Sequence, residues 1–242
     1  VSELFGTDGM IAQMTQFMTI AGREYILFVD ELGRGAARII DITDETAPNI
    51  ASKLKLDVHM PDNMAMTSEA DGAPFGYDGH YCTASDGINE NTTYSIRNAV
   101  IAVCGYFQSG IRVFDIRDPY LPREIAYYNP PANPGFLSGS NYNASGICGT
   151  VDWASSHPRY RPATREIWFT SQCNGFQVIK LSKPLAELLG PAPTPRAAVT
   201  TAAANTSNAK FGGSLSLFSA LFMLCAALFV YWRGARLPIR EL

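Results

Sequence analysis

The chain has 242 residues, 47% hydrophobic and 17% charged, with a formal net charge of -3. So small a charge, with no basic run interleaved with aromatic residues, argues against a nucleic-acid partner. The apolar content at this length is enough for a substantial core in a single all-β domain.

From Glu24 the chain reads as strands. Residues 25–30 (YILFVD) are β-branched and aromatic, the GRG turn follows at 33–35, and 37–43 (ARIIDIT) forms the second arm of a hairpin. A turn carrying Asp44 and Pro48 then leads into a third extended run ending at Leu56. The same grammar returns at 99–107 (AVIAVCGYF), with a turn at Ser109 and Gly110, a strand at 111–118, a PYLP turn at 119–122 and a third strand at 123–128. A last copy runs through 166–172, Asn174 and Gly175, and 176–182. It lacks the Asp-Pro turn, and Lys180 stands where the others carry Asp41 and Asp115. The segments 57–98 and 129–164, rich in Gly, Pro, Asn and Ser, read as long insertions.

Repeated short meanders cannot bury both faces alone, and stacking them radially gives a β-propeller. The expectation is therefore an all-β propeller of antiparallel meander blades over residues 1–183, with a β-sandwich as the alternative. Only three copies are counted, whereas a closed propeller usually needs at least about four blades. The expected propeller is thus partial or N-terminally truncated, with open edges that something must cover. An exported domain also needs a signal peptide, and none precedes Val1, so further sequence upstream is expected.

Residues 184–211 begin with LAELLG, a short helical turn, and continue as a Pro/Ala/Thr-rich tether poor in large apolar residues. Residues 212–233 contain the uncharged run LSLFSALFMLCAALFVYW, close to the roughly 20 apolar residues a membrane-crossing helix requires. Arg233, Arg236 and Arg240 follow it, while the nearest positive charge before it is Lys210. Lys/Arg excess marks the cytoplasmic flank, so the 234–242 tail is expected in the cytoplasm and the β-rich bulk in the periplasm or outside the cell. Ser216 and Ala220 form a small-xxx-small spacing at which a partner helix can approach closely.

Cys225 lies inside that span, which leaves Cys82, Cys104, Cys148 and Cys173 in the exposed domain. An even number in an oxidising compartment reads as disulfides. Similar separations favour Cys82 with Cys104 and Cys148 with Cys173, each bridge worth about 3 kcal/mol in the chain-entropy model. Free buried thiols are the alternative, and the tight C-x-x-C spacing of a zinc site is absent.

The best-preserved copy, GIRVFDIRDPYLPREIAYY at 110–128, resembles the LVIVD repeat. ARIIDITDETAPNIAS and REIWFTSQCNGFQVIKL match more loosely, with GHYC at 79–82 and DWASSHPR at 152–159 as supporting loops. The resemblance implies a bacterial or archaeal β-propeller. It implies no settled reaction, so no catalytic, cofactor-binding or metal-binding residue is carried over. Within the repeat, Gly110 would supply a turn, Asp115 and Asp118 would accept backbone N–H groups, and Ile111, Val113 and Ile125 would pack between blades.

Of the three histidines, His59 and His80 fall in the first insertion and His157 in the second, without metal-ligand spacing. A Ser-His-Asp set built from Ser156, His157 and Asp152 lacks the G-x-S-x-G elbow, and neighbours on an extended chain point to opposite sides. Asp62, Glu69, Asp71 and Asp78 share one loop and read as a solvated acidic segment rather than a calcium site. The leading functional expectation is a membrane-anchored, non-catalytic interaction protein, such as an accessory subunit of a respiratory or photosynthetic complex. Its partners would be the lipid bilayer and other membrane proteins, with no cofactor. The alternative is an enzyme or a metal- or ligand-binding protein using the loop face, through His80, His157, Asp152 and Trp153.

Overall fold

Alternating apolar and polar residues, punctuated by glycine turns, produce twelve strands in a computed structural model that describes residue 4 and residues 11–31, 36–63, 76–90, 94–133 and 151–194. By contacts the chain forms two units, Val1–Arg196 and Ala197–Leu242, and the second lies outside the described residues. The expected membrane span, with Ser216 and Ala220, therefore also lies outside them. Among the described residues no helix is long and apolar enough to cross a membrane.

The first sheet, sheet A, is a meander of β1 (Ile11–Ile20), β2 (Arg23–Glu31), β3 (Arg38–Asp41) and β4 (Asn49–Lys53). Sheet B joins β5 (Tyr81–Ser85), β7 (Ile101–Gly105), β8 (Ile111–Asp115) and β9 (Arg123–Tyr128), all antiparallel. The short strand β6 (Ser95–Ile96), which lies between β5 and β7 in the chain, crosses over to pair in parallel with β1. Sheet C contains β10 (Arg159–Arg161), β11 (Glu166–Ser171) and β12 (Gly175–Lys180). The all-β expectation holds, and the repeated hairpins are β2–β3, β7–β8 and β11–β12. One expectation needs correction: sheet A begins at Ile11, before the first strand read from the sequence. The two insertions each contain the first strand of a sheet, β5 or β10.

One rule governs how the sheets stack. Register aligns Tyr25 opposite Asp41, Ile101 opposite Asp115 and Glu166 opposite Lys180, so β2, β7 and β11 are equivalent strands. Tyr25, Leu27 and Val29 of sheet A are buried in one core with Cys82, Ala84, Cys104 and Phe114 of sheet B. On the opposite face of sheet B, Ile101, Val103, Ile111 and Val113 are buried in a second core with Tyr160, Ile167 and Phe169 of sheet C. Equivalent positions thus face the next sheet each time. Sheet B is covered on both faces, which is why every residue of β7 is buried and why that strand reads as a continuous apolar run.

Cys82 and Cys104 sit directly opposite each other on β5 and β7 and form a disulfide, as expected. Cys173 is also disulfide-bonded, while Cys148 lies outside the described residues. Gly110 has φ +73°, and a Cβ there would come within 2.1 Å of the Tyr128 carbonyl oxygen, so only glycine fits the β7–β8 turn. After that hairpin, Asp115 Oδ1 accepts from the backbone N–H of Arg117 at 3.1 Å, and Asp118 Oδ1 from that of Tyr120 at 3.0 Å. Asp41 and Asp44 accept in the same way from Thr43 and Thr46. These are the turn-side acceptors expected of the repeat.

The expected helical turn is α1 (Leu185–Leu189), whose leucines pack against the core between sheets B and C. Arg117 and Arg123 fasten it by donating to the carbonyl oxygens of Leu189 at 2.6 and 2.9 Å.

Candidate functional site

Because all three sheets stack in the same sense, the ends of β2, β7 and β11 and the starts of β5 and β10 lie at one end of the stack. The residues singled out from the sequence gather there. His80 immediately precedes β5, and the 152–157 loop precedes β10.

His80 links all three sheets. Its Nε2 lies 2.7 Å from Oε1 of Glu31, the last residue of β2 in sheet A. Its Nδ1 lies 2.5 Å from the Ser155 carbonyl oxygen in the loop leading to sheet C. A carbonyl oxygen can only accept, so Nδ1 carries a hydrogen. The Nε2–Glu31 contact then requires exactly one further proton, held either on the carboxyl or on the ring. Burial pushes the Glu31 carboxyl up, opposed by a hydrogen bond from Gln13. Burial also pushes the His80 imidazolium down, opposed by the bond to Ser155. One proton thus joins Glu31 to His80, and burial disfavours the charged form of each.

Aromatic rings surround the pair. His80 stacks on Phe107 at 4.6 Å and meets Tyr81 edge-on at 4.2 Å, while His157 stacks on Tyr81 at 4.3 Å. Phe107 in turn meets Trp153 at 4.9 Å. Burial is the main cause that lowers the His157 imidazolium, with Arg159 and His80 adding repulsion. The backbone of this loop runs so close to β7 that a Cβ on Gly105 would sit 2.7 Å from the Ala154 oxygen.

Asp152 and the neighbouring Ser156 are taken up by bonds within the loop and sheet C. Asp152 Oδ1 accepts from the N–H groups of Trp153 at 2.8 Å and Cys173 at 3.1 Å, and its Oδ2 accepts from Gln177 at 2.7 Å. Ser156 Oγ donates to the Thr170 carbonyl at 2.9 Å and accepts from the Thr170 N–H at 2.7 Å. Ser156, His157 and Asp152 therefore form no triad. His59 is buried with Nδ1 accepting from the Leu56 N–H and Nε2 donating to the Tyr77 carbonyl, which fixes it as a neutral structural ring. Asp78 is buried, Asp62 is exposed, and Glu69 and Asp71 lie outside the described residues.

Trp153 Nε1, His157 Nδ1 and Gln108 Oε1 are buried at or near this end with no partner among the described residues, as are Asp30 Oδ1 near the end of β2 and Nε and Nη2 of Arg38, its ion-pair partner. Among the described residues no group of three or more His, Cys, Asp and Glu side chains has the arrangement to hold a metal ion. Sequence reasoning missed Glu31. An acidic residue ending an otherwise apolar strand was the available signal, but its partner lies 49 positions away in the chain.

No family model matches the chain, and no curated protein matches it.

Proposed function

We propose that this chain is a non-catalytic interaction module. It would be an extracytoplasmic β-propeller, held at a membrane by the apolar segment 212–233 and serving as an accessory subunit or scaffold for other membrane proteins. The observation that carries this reading is the repeated stacking rule. Sheet A presents the same face to sheet B that sheet B presents to sheet C, as a radial array requires. The LVIVD-like repeat supports the same array, since its aspartates hold equivalent turns in sheets A and B. At the loop end His80 ties sheet A to the loop of sheet C, while Asp152 and Ser156 hold that loop to sheet C, a use that suits a rigid docking platform. The 212–233 segment and its flanking arginines support anchorage and orientation. Labelling intact cells with a membrane-impermeant amine reagent tests the topology. Modification of Lys53, Lys55 and Lys183 is expected, and labelling only after the cells are broken open overturns it.

A second reading is favoured by the unspent atoms of Trp153, His157 and Gln108. In that reading the loop end binds a metal or a small ligand through His80 and His157. Metal analysis of the purified chain, repeated with His80→Ala and His157→Ala, decides it. Stoichiometric metal that disappears in the variants would support this reading over the first.

A further inference from the structure

Among the described residues sheet C has no counterpart of the fourth meander strand seen in sheets A and B. In sheet A the third strand of the meander, β3, is followed by β4, and in sheet B β8 is followed by β9. In sheet C the equivalent strand is β12, and among the described residues no strand pairs with its outer edge. After β12 the chain turns instead into α1. An unpaired edge is a template for another strand.

The space beside that edge has a shape and a chemistry. A groove of about 150 Å³ runs between the outer strands of sheets B and C, lined among others by Ala126, Tyr128, Ile167, Ile179 and Leu181. An added fourth strand would direct alternate side chains into it. Sheet B indicates which residue would begin such a strand. There Asp115 ends β8, and Arg123, the first residue of β9, stands opposite it with the guanidinium 3.4 Å from the carboxylate. The residue equivalent to Asp115 in sheet C is Lys180, which is exposed. The charge at the pairing position is therefore reversed.

We infer that the β12 edge receives an extended segment of a partner protein, running antiparallel to β12. The segment would begin with an acidic residue opposite Lys180 and continue with an apolar residue opposite Ile179. This is recognition by strand addition, in which backbone hydrogen bonds supply affinity and the groove and Lys180 supply specificity. Glu166, opposite Lys180 on β11, is the competing acid, but its Oε2 accepts from Trp168 Nε1 at 3.0 Å. The inference deepens the interaction role proposed above and rests on it for its partner.

The chain's own β4 supplies the probe, because its Asn49 stands opposite Asp41 and its Ile50 opposite Ile40. Two capped synthetic peptides carry the β4 sequence NIASK with the first residue replaced by Asp or by Lys. At low salt the full chain should bind the Asp peptide about fivefold more tightly than the Lys peptide, the range expected of a cross-strand charge pair. Lys180→Glu should invert that order. Amide hydrogen exchange across Gly175–Lys180 should slow on binding. Equal binding of the two peptides, no binding of either at millimolar concentration, failure of Lys180→Glu to invert the preference, or β12 edge amides already protected in the free chain would each overturn the inference. The interaction reading survives those results if the chain still travels with membrane proteins.

Discussion

Glu31 and His80 lie 2.7 Å apart, Oε1 to Nε2, at the end of the stack where all three sheets meet, and one proton joins them. Burial raises the Glu31 carboxyl above its ordinary 4.5 and lowers the His80 ring below its ordinary 6.5. A raised carboxyl contributes stability that is lost as pH rises from 4.5 through its folded pKa. A lowered ring makes stability fall as pH drops from 6.5 through its folded pKa. The two slopes oppose each other. Glu31→Gln removes the first and leaves the second, so melting curves from pH 4 to 8 should show a steeper acid decline in the variant than in the wild type. An identical acid slope in the two proteins would contradict the linkage.

Tyr106 crosses the core between sheets A and B. It is fully buried, and its hydroxyl donates to the Leu54 carbonyl at 2.5 Å and accepts from the Ala37 N–H at 3.3 Å. Tyr106→Phe keeps the ring and leaves both backbone groups without that partner. It should cost about 1–3 kcal/mol. Urea unfolding should show a lower midpoint with an unchanged slope, as expected when stability but not compactness changes.

Arg117 binds Asp115 through Nε at 3.0 Å and Nη2 at 2.8 Å while donating to the carbonyl oxygens of Leu189, Gly190 and Pro191. Burial pushes the Asp115 carboxyl up, but these hydrogen bonds and the charges of Arg117 and Arg123 outweigh it and hold the group below the usual range. Arg117→Ala should release the segment that follows α1 without unfolding the sheets. Limited proteolysis should then cut sooner near residues 185–194, with the melting temperature lowered by only a few degrees. Global destabilisation with no new cleavage would assign Arg117 to the core of sheet B instead.

The repeated hairpins were legible because their turns demand particular residues. Gly110 needs φ +73°, and Asp115 and Asp118 accept from N–H groups two positions on. The first strand of each sheet was not. β1 (IAQMTQFMTI) mixes Gln and Thr among its apolar residues because half of it is open, and β10 has three residues. Such strands form because a neighbouring meander offers an edge, a cause with no local signature. At the candidate site His80 and His157 were placed together on the loop face, but the bonds that tie His80 to Glu31 and Ser155 were not legible. Ser155 lies 75 positions from His80, and only the stacking of three sheets brings them together. Asp152, grouped with His80, His157 and Trp153 in the alternative loop-face site, anchors backbone N–H groups, a role that composition cannot distinguish.

The central proposal is that the stacked sheets form a docking module for other membrane proteins. Extraction of the full chain from its native membrane in mild detergent, followed by native size analysis and identification of co-migrating proteins, tests it most directly. The account predicts a complex well above 26.3 kDa with membrane proteins in stoichiometric amounts. A lone monomer under those conditions would contradict it.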